Sequence, residues 1–295
     1  MLTKMISRIV LFVLCSLLVM GSGLYPLHMA HAKGFPKATW LWNTEQIKTQ
    51  ANDIVSFTSA NGVNQIYLQI NIDIPVSYYK AFIRLAATKG ITVDALNGAP
   101  SWALTSERNQ ITKFINWVED YQSHSLASEQ FHGLHMDIEP HLLPQWKTNL
   151  NSVIEQWQKS VIYLTQEAKR LNMPIAADIP FWLSNYKATN DNITLSRFMI
   201  TAYDSITIMS YRDTAAAIYS VAERELEEAR FLGKPAFAAV ETKSSNEGNF
   251  ITFYEEGAKY MNEQLNLLSG LAKAQDAFAG VAIHDYDGWR AFSGR

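Results

Sequence analysis

The chain is poor in several features on which common functions depend. It has one cysteine in 295 residues. That residue, Cys15, falls inside an N-terminal apolar run, so the rest of the chain is without disulfide staples or thiolate chemistry. Leu14 rather than a small residue precedes it, which argues against lipoprotein cleavage there. The apolar run itself, Ile9 to Met20, has about a dozen residues where a spanning helix needs roughly 20. Basic residues are in deficit, 25 against 28 acidic ones, so no basic face for nucleic acid is expected. No low-complexity stretch, Pro/Gly/Ser-rich linker or fixed-period repeat occurs. A Gly-rich phosphate loop is also missing after the first predicted strand, where Trp40-Leu41-Trp42-Asn43 is bulky instead. Nothing calls for a cofactor, and the oligomeric state is not legible.

What is present begins with an export signal. Lys4 and Arg8 precede the apolar run, and small and polar residues follow it up to Ala30-His31-Ala32. Residues 1–32 therefore read as a signal peptide cleaved after Ala32, with residues 33–295 as one domain, secreted or held in the cell envelope and not stably inserted in a membrane. An uncleaved anchor is the alternative. The remaining residues carry 23 basic and 28 acidic side chains, and their length is near the roughly 250 residues of one (β/α)8 barrel. Eight Trp and thirteen Tyr offer flat faces that suit sugar rings as well as cores.

Short β-rich runs alternate with longer helical patterns, the order of βα units around a parallel sheet. Strands are expected at Thr39 to Trp42, Gln65 to Ile70, Thr92 to Leu96, Gly133 to Ile138, Ile175 to Ile179, Ser205 to Ser210, Ala236 to Val240 and Gly280 to Ile283. Helices are expected at Thr44 to Ala60, Val76 to Lys89, Glu107 to Tyr121, Gln145 to Leu171, Leu195 to Ala202, Ala215 to Phe231, Phe253 to Lys273 and from Asp287. Gly62, Gly90 and Gly233 fall just past three of them, where a left-handed cap favours glycine. The fold class is α/β, a single (β/α)8 TIM barrel, preferred over an open doubly wound sheet because the phosphate loop is missing.

Chemistry in such barrels sits at the C-terminal ends of the strands. The residues there are Trp42 and Asn43, Gln69 and Asn71, Asn97, Asp137 and Glu139, Asp178, Tyr211 and Asp213, Glu241, and His284. Polar strand exits are ordinary, but carboxylates at four separate exits are not explained by that alone. In Phe131-His132-Gly133-Leu134-His135-Met136-Asp137-Ile138-Glu139-Pro140, strand alternation puts His135, Asp137 and Glu139 on one face. Two carboxylates about 6.6 Å apart along a strand repel if both ionise. One proton is then retained, as a general acid for a glycosidic oxygen requires. A solvated salt-bridge cluster is the bland account of the same residues.

The run Phe131 to Glu139 resembles the fourth-strand signature of family 18 glycoside hydrolases, the chitinase family, roughly F-D-G-[LI]-D-[IL]-D-W-E, with Gly133, Asp137 and Glu139 in register. Met209-Ser210-Tyr211 is similar to that family's M-x-Y, and His284 ends the strand that usually carries a sugar-stacking Trp. His132 and His135 stand where the family has Asp, and Ile138 where it has Trp. The resemblance implies Glu139 as proton donor, Asp137 as its partner beside a substrate N-acetyl group, and Tyr211 as a donor to that group. A second resemblance is to barrel glycosidases with an acid/base Glu after strand four and a nucleophilic Glu after strand seven, which Glu139-Pro140 and Glu241 match. Their double displacement needs the carboxyls about 5 to 5.5 Å apart.

The reading is thus a secreted glycoside hydrolase of a poly- or oligosaccharide. Glu139, Asp137, Tyr211 and Glu241 are its expected catalytic groups, and Trp42, Asn97, Trp102, His135, Asp178, Trp182, Asp213 and His284 its expected substrate contacts. Two rivals remain. A metal-dependent hydrolase could use His135, Asp137, Glu139, Asp178 and His284, although no His pair opens the first strand and no metal is expected. A silent carbohydrate-binding barrel could stack sugars on Trp40, Trp42, Trp102, Trp182 and Trp289. Further expectations are a glycan groove lined by Trp102, Phe181 and Trp182, Tyr211 and Asp213 facing the mouth with Arg212 opposite, a solvated helix face at Glu223 to Glu228, and a bend at Gly257.

Overall fold

The structure, a computed structural model, describes residues 36–189 and 192–293. The signal expected over residues 1–32, with Cys15, lies outside them. Eight parallel strands close in sequence order: β1 (Lys37–Leu41), β2 (Val63–Gln69), β3 (Thr92–Asn97), β4 (Leu134–Met136), β5 (Ile175–Pro180), β6 (Ser205–Met209), β7 (Ala236–Glu241) and β8 (Phe278–His284), with β8 pairing back to β1. Around them run α1 (Gln46–Thr49), α2 (Ala51–Ala60), α3 (Val76–Ala87), α4 (Arg108–Ser123), α5 (Pro144–Thr148), α6 (Leu150–Arg170), α7 (Leu195–Ala202), α8 (Ala215–Leu232), α9 (Gly257–Leu271) and α10 (Tyr286–Phe292). The chain has the (β/α)8 barrel expected of it. Among the described residues no helix is long and apolar enough to cross a membrane.

Strand alternation makes two cores. One set of side chains, Leu41, Ile66, Leu68, Leu134, Met136 and Ile138 among them, packs outward against the helices. The other set fills the lumen with Ala38, Trp40, Tyr67, Leu96, Ala239 and Ala282. Three alanines leave room there for Trp40 and Tyr67, which meet edge-on with ring centroids 5.1 Å apart. Helix starts are fixed locally: the side chains of Thr194, Thr214 and Asp285 accept from the backbone N–H groups of Arg197, Ala217 and Gly288. Gly62, Gly90 and Gly233 all take positive φ, at 75°, 70° and 65°.

Several boundaries differ from the sequence pattern for physical reasons. The helix expected over Thr44 to Ala60 breaks at Gln50, and the one over Gln145 to Leu171 breaks at Asn149, whose φ of −149° is not helical. Gly257, at φ 82°, starts α9 rather than bending it. β4 keeps only three residues, because the chain turns into the 3-10 segment Pro140–Leu142 soon after Asp137. The charged run on α8 is not uniformly solvated. Glu225 is fully buried, takes the N–H of Ser184 at 3.3 Å, and is pushed by burial up to about 7. Glu228 is tied to the hydroxyls of Thr194 and Ser196.

Candidate active site

The C-terminal mouth of the barrel holds a pocket of about 140 Å³ lined by Trp40, Trp42, Asp137, Glu139, Asp178, Met209, Tyr211 and His284. Asp137 and Glu139 share it because they continue the inward face of β4, below which His135 points into the lumen. The close passage of two chain segments sets Asp137: its N–H donates to the Asn97 carbonyl at 3.1 Å. A Cβ on Gly98 would lie 1.8 Å from the Asp137 carbonyl oxygen, so only glycine allows the β3 exit to pass there.

Burial pushes the Asp137 carboxyl well above the usual carboxylate range, with the charges of Asp178 and then Glu139 adding to it. One oxygen of Asp137, Oδ1, is buried with no partner. Burial also raises Glu139, Asp178 adding and His284 pulling back. His141 Nε2 lies 3.7 Å from Glu139 Oε1, and burial lowers the basicity of that imidazole. The phenol of Tyr211 is driven well up by burial and then by Glu241, so it remains an O–H donor at neutral pH.

Glu241 is fully engaged. Its Oε1 accepts the backbone N–H groups of Thr242 and Lys243 at 2.7 and 2.8 Å, and Oε2 lies 2.8 Å from His284 Nδ1. His284 Nε2 is 3.0 Å from Trp42 Nε1. An indole N–H only donates, so Nε2 is the acceptor and the imidazole proton sits on Nδ1, facing Glu241. Burial lowers the basicity of His284, but the bond to Glu241 and its charge outweigh this and raise it overall. Protonation at Nε2 would break the tie to Trp42.

The expected contacts divide by position. Trp42 forms the wall between the pocket and a wider groove of about 470 Å³, which also contains Asn97 and Trp102. Trp182 stands in an aromatic cluster with His141, Trp146 and Tyr186 at centroid separations of 5.1 to 6.4 Å. Of Trp102, Phe181 and Trp182, only Trp102 lines the 470 Å³ groove. His135 is fully buried and bonded to Asp178 at 2.8 Å, which places it beneath the pocket rather than against a substrate. Trp289 is fully buried and offers no face for stacking, whereas Trp40, 1% exposed, borders the pocket. β6 ends at Met209, so its alternation does not extend to Asp213. Tyr211 reaches the pocket, whereas Asp213 is outside it and anchors its N–H on the Phe250 carbonyl. Arg212, expected to face away, lies over the rings of Phe181 and Phe250. Among the described residues no three of His, Cys, Asp and Glu are grouped so as to hold a metal ion.

This barrel is similar to those of family 18 chitinases. The chitinase of Chromobacterium violaceum superposes with a TM-score of 0.57 at 11% identity, over 88% of this chain and 98% of that one. A putative chitinase C-terminal domain from Desulfitobacterium hafniense gives 0.58 at 12% identity, over 88% and 96%. The family 18 chitinase of Cycas revoluta, solved with allosamidin, gives 0.56 at 15%, over 85% and 95%. No protein-family model matches the sequence, and no curated protein matches it. At these identities the likeness is one of fold.

Sequence reasoning missed Gly98, His141, Trp146 and Tyr186, and it quoted Met209 in a motif without giving it a place at the pocket. Gly98 follows Asn97 directly and carried a signal, a glycine at a strand exit. The aromatic cluster had none, because its members come from two segments, around α5 and after β5, far apart in sequence.

Proposed function

We propose that the protein is an exported glycoside hydrolase that cleaves a poly- or oligosaccharide with Glu139 as proton donor. The observation that carries this reading is the pairing of Asp137 and Glu139, both raised by burial, in one pocket with the Tyr211 hydroxyl at the barrel mouth. Glu139 has no committed hydrogen bond and can give its proton to the leaving oxygen as the C1–O bond breaks. The bare Oδ1 of Asp137 is placed to accept an N–H, and the phenol of Tyr211 to donate to a carbonyl. An N-acetyl group presents both, so its own carbonyl oxygen would attack C1, and Glu139 would then deprotonate the water that completes hydrolysis. A Cycas revoluta chitinase mutant of the same fold was solved with (GlcNAc)4, and chitin oligosaccharides are the first substrates to test. The role of residues 1–32 as a cleaved signal is part of this reading, and N-terminal sequencing of exported protein tests it, with Lys33 expected first.

The direct experiment is Glu139→Gln, which keeps shape and hydrogen bonding but removes the proton. Turnover of the substrate is expected to fall by about 10²- to 10⁴-fold with folding and ligand affinity retained. Undiminished turnover defeats the assignment, and an unfolded variant favours the salt-bridge account. A silent carbohydrate-binding barrel is the second reading, favoured by the pocket volume of about 140 Å³, small against the roughly 300 to 1,000 Å³ of most ligand sites. Calorimetric binding of oligosaccharides without turnover by the wild-type protein would establish it.

A further inference from the structure

Below the pocket, Asp178 of β5 joins two other strands. Its Oδ2 accepts the indole N–H of Trp40 at 3.0 Å, and its Oδ1 lies 2.8 Å from Nε2 of His135. Asp178 is 4% exposed, and His135 is fully buried with its ring stacked on Tyr67 at 3.6 Å. His135 Nδ1 is buried without a partner. An imidazolium would need an acceptor for a second N–H, and none is there. His135 therefore donates through Nε2 as a neutral ring and does not cancel the charge opposite it. Both oxygens of Asp178 accept from N–H donors, the pattern of an ionised carboxylate.

The same carboxylate lines the pocket with Asp137 and Glu139. Three carboxyls around so small a space cannot all ionise at neutral pH. Asp178 has two fixed donors, whereas Asp137 has a bare oxygen and Glu139 only His141 at 3.7 Å. We propose that Asp178 is the fixed anion against which the Asp137–Glu139 pair keeps its proton, a positioning residue for the acid step. This rests on the reading of Glu139 as proton donor. Among the other groups facing the cluster, His284 pulls Glu139 back, but by less than Asp178 raises it. Tyr67 of β2 and Tyr211 after β6 stay protonated, since burial raises both. Glu241 of β7 and His284 of β8 are bound to each other, and burial keeps His141 from charging. Burial is the first cause of the raised carboxyls at both Asp137 and Glu139, and the charge of Asp178 is the next at each.

Asp178→Asn removes the charge and keeps the shape. The amide oxygen can still accept from Trp40, and its N–H can donate to His135 once the imidazole proton moves to Nδ1; that Nδ1–H then has no acceptor, the penalty of an unsatisfied buried donor, so the fold is expected to survive with lower stability. The test is a difference infrared titration of the carboxylic-acid C=O band. It is made in a Glu225→Gln background because Glu225 also titrates, at about 7, and Asp137→Asn and Glu139→Gln variants assign the band. The wild-type band is expected to persist at neutral pH, and its midpoint to fall by about one pH unit or more in Asp178→Asn. With a fluorogenic chitotrioside as the activity probe, the alkaline limb of the rate profile should move down by the same amount, whereas a merely structural role would lower rates without moving the limb. An unchanged infrared midpoint in a folded variant, or no such band in the wild type at neutral pH, overturns the proposal. Because the titration needs no substrate, a wild-type protein inert toward the probe counts against the substrate and not against Asp178. If Asp178→Asn does not fold, the smaller neutral Asp178→Thr carries the same titration with the same expected fall.

Discussion

Gly98 shows how much of the site depends on a residue with no side chain. The β3 exit passes the backbone of Asp137 so closely that a Cβ would meet its carbonyl oxygen at 1.8 Å and its carbonyl carbon at 2.4 Å. Neither neighbour is the free end of a side chain, so the backbone must move. Gly98→Ala is therefore expected to shift Asp137 out of line with Glu139, at a stability cost of about 1 to 3 kcal/mol. A displacement near 1 Å in a catalytic arrangement can cost about 10²-fold in rate. Gly270→Ala on α9, where nothing lies within 4 Å of the added Cβ, should leave both stability and turnover near wild type. Equal turnover in the two variants, measured on one oligosaccharide, would refute the role given to Gly98. The position was visible in the sequence as a glycine after Asn97. Its reason was not, because the clash is with a strand 39 residues further on.

At the scale of elements, the run Glu241, His284 and Trp42 ties β7 and β8 to the segment after β1 at the barrel's closing seam. Its bonds bear directly on the rival mechanism. A nucleophilic carboxylate needs an oxygen free to attack, and both oxygens of Glu241 are held, one by two backbone N–H groups and one by His284. In Glu241→Gln the amide oxygen would keep the backbone donors, so the NH2 would face His284 Nδ1 and drive the imidazole proton to Nε2. There it would confront the indole N–H of Trp42, and the tie at the pocket wall would fail. The expected result is a raised KM with kcat changed by less than about tenfold, together with a tautomer switch visible in the 15N shifts of His284; a fall in kcat matching the roughly 10²- to 10⁴-fold of Glu139→Gln would make Glu241 the nucleophile after all. The eight strands and the inward face shared by His135, Asp137 and Glu139 were legible because alternation is a local property. What His284 bonds to was not, since Trp42 and Glu241 are brought to it only when the barrel closes. Helix breaks at Gln50 and Asn149 were hidden for a similar reason, because helical periodicity continues across a single non-helical residue.

For the whole molecule, these buried groups set a direction for stability against pH. Asp137, Glu139 and Glu225 are all raised in the folded chain, so the folded state holds protons that the unfolded chain releases. His284 is raised as well, and His132 too, through its bond to Asp94, although it is half exposed and counts for less. His141 acts the other way, its basicity lowered by burial. When the folded state binds more protons than the unfolded one, stability falls as pH rises. For Glu225 the window runs from its ordinary value of 4.5 to about 7: below it both states are protonated and no penalty exists, and above it the cost has reached its full size of about 3 kcal/mol. The melting temperature is thus expected to decline from pH 5 toward pH 8, by about 2 to 4 °C for each kcal/mol in a domain of this size. Glu225→Gln should flatten part of that decline, raising the melting temperature at pH 8 while leaving it nearly unchanged at pH 4. Differential scanning calorimetry of the two proteins across this range decides the matter: a wild-type melting temperature that rises from pH 5 to 8, or a Glu225→Gln gain that is the same at pH 4 and pH 8, would show that the buried carboxyls are not held protonated as their surroundings require.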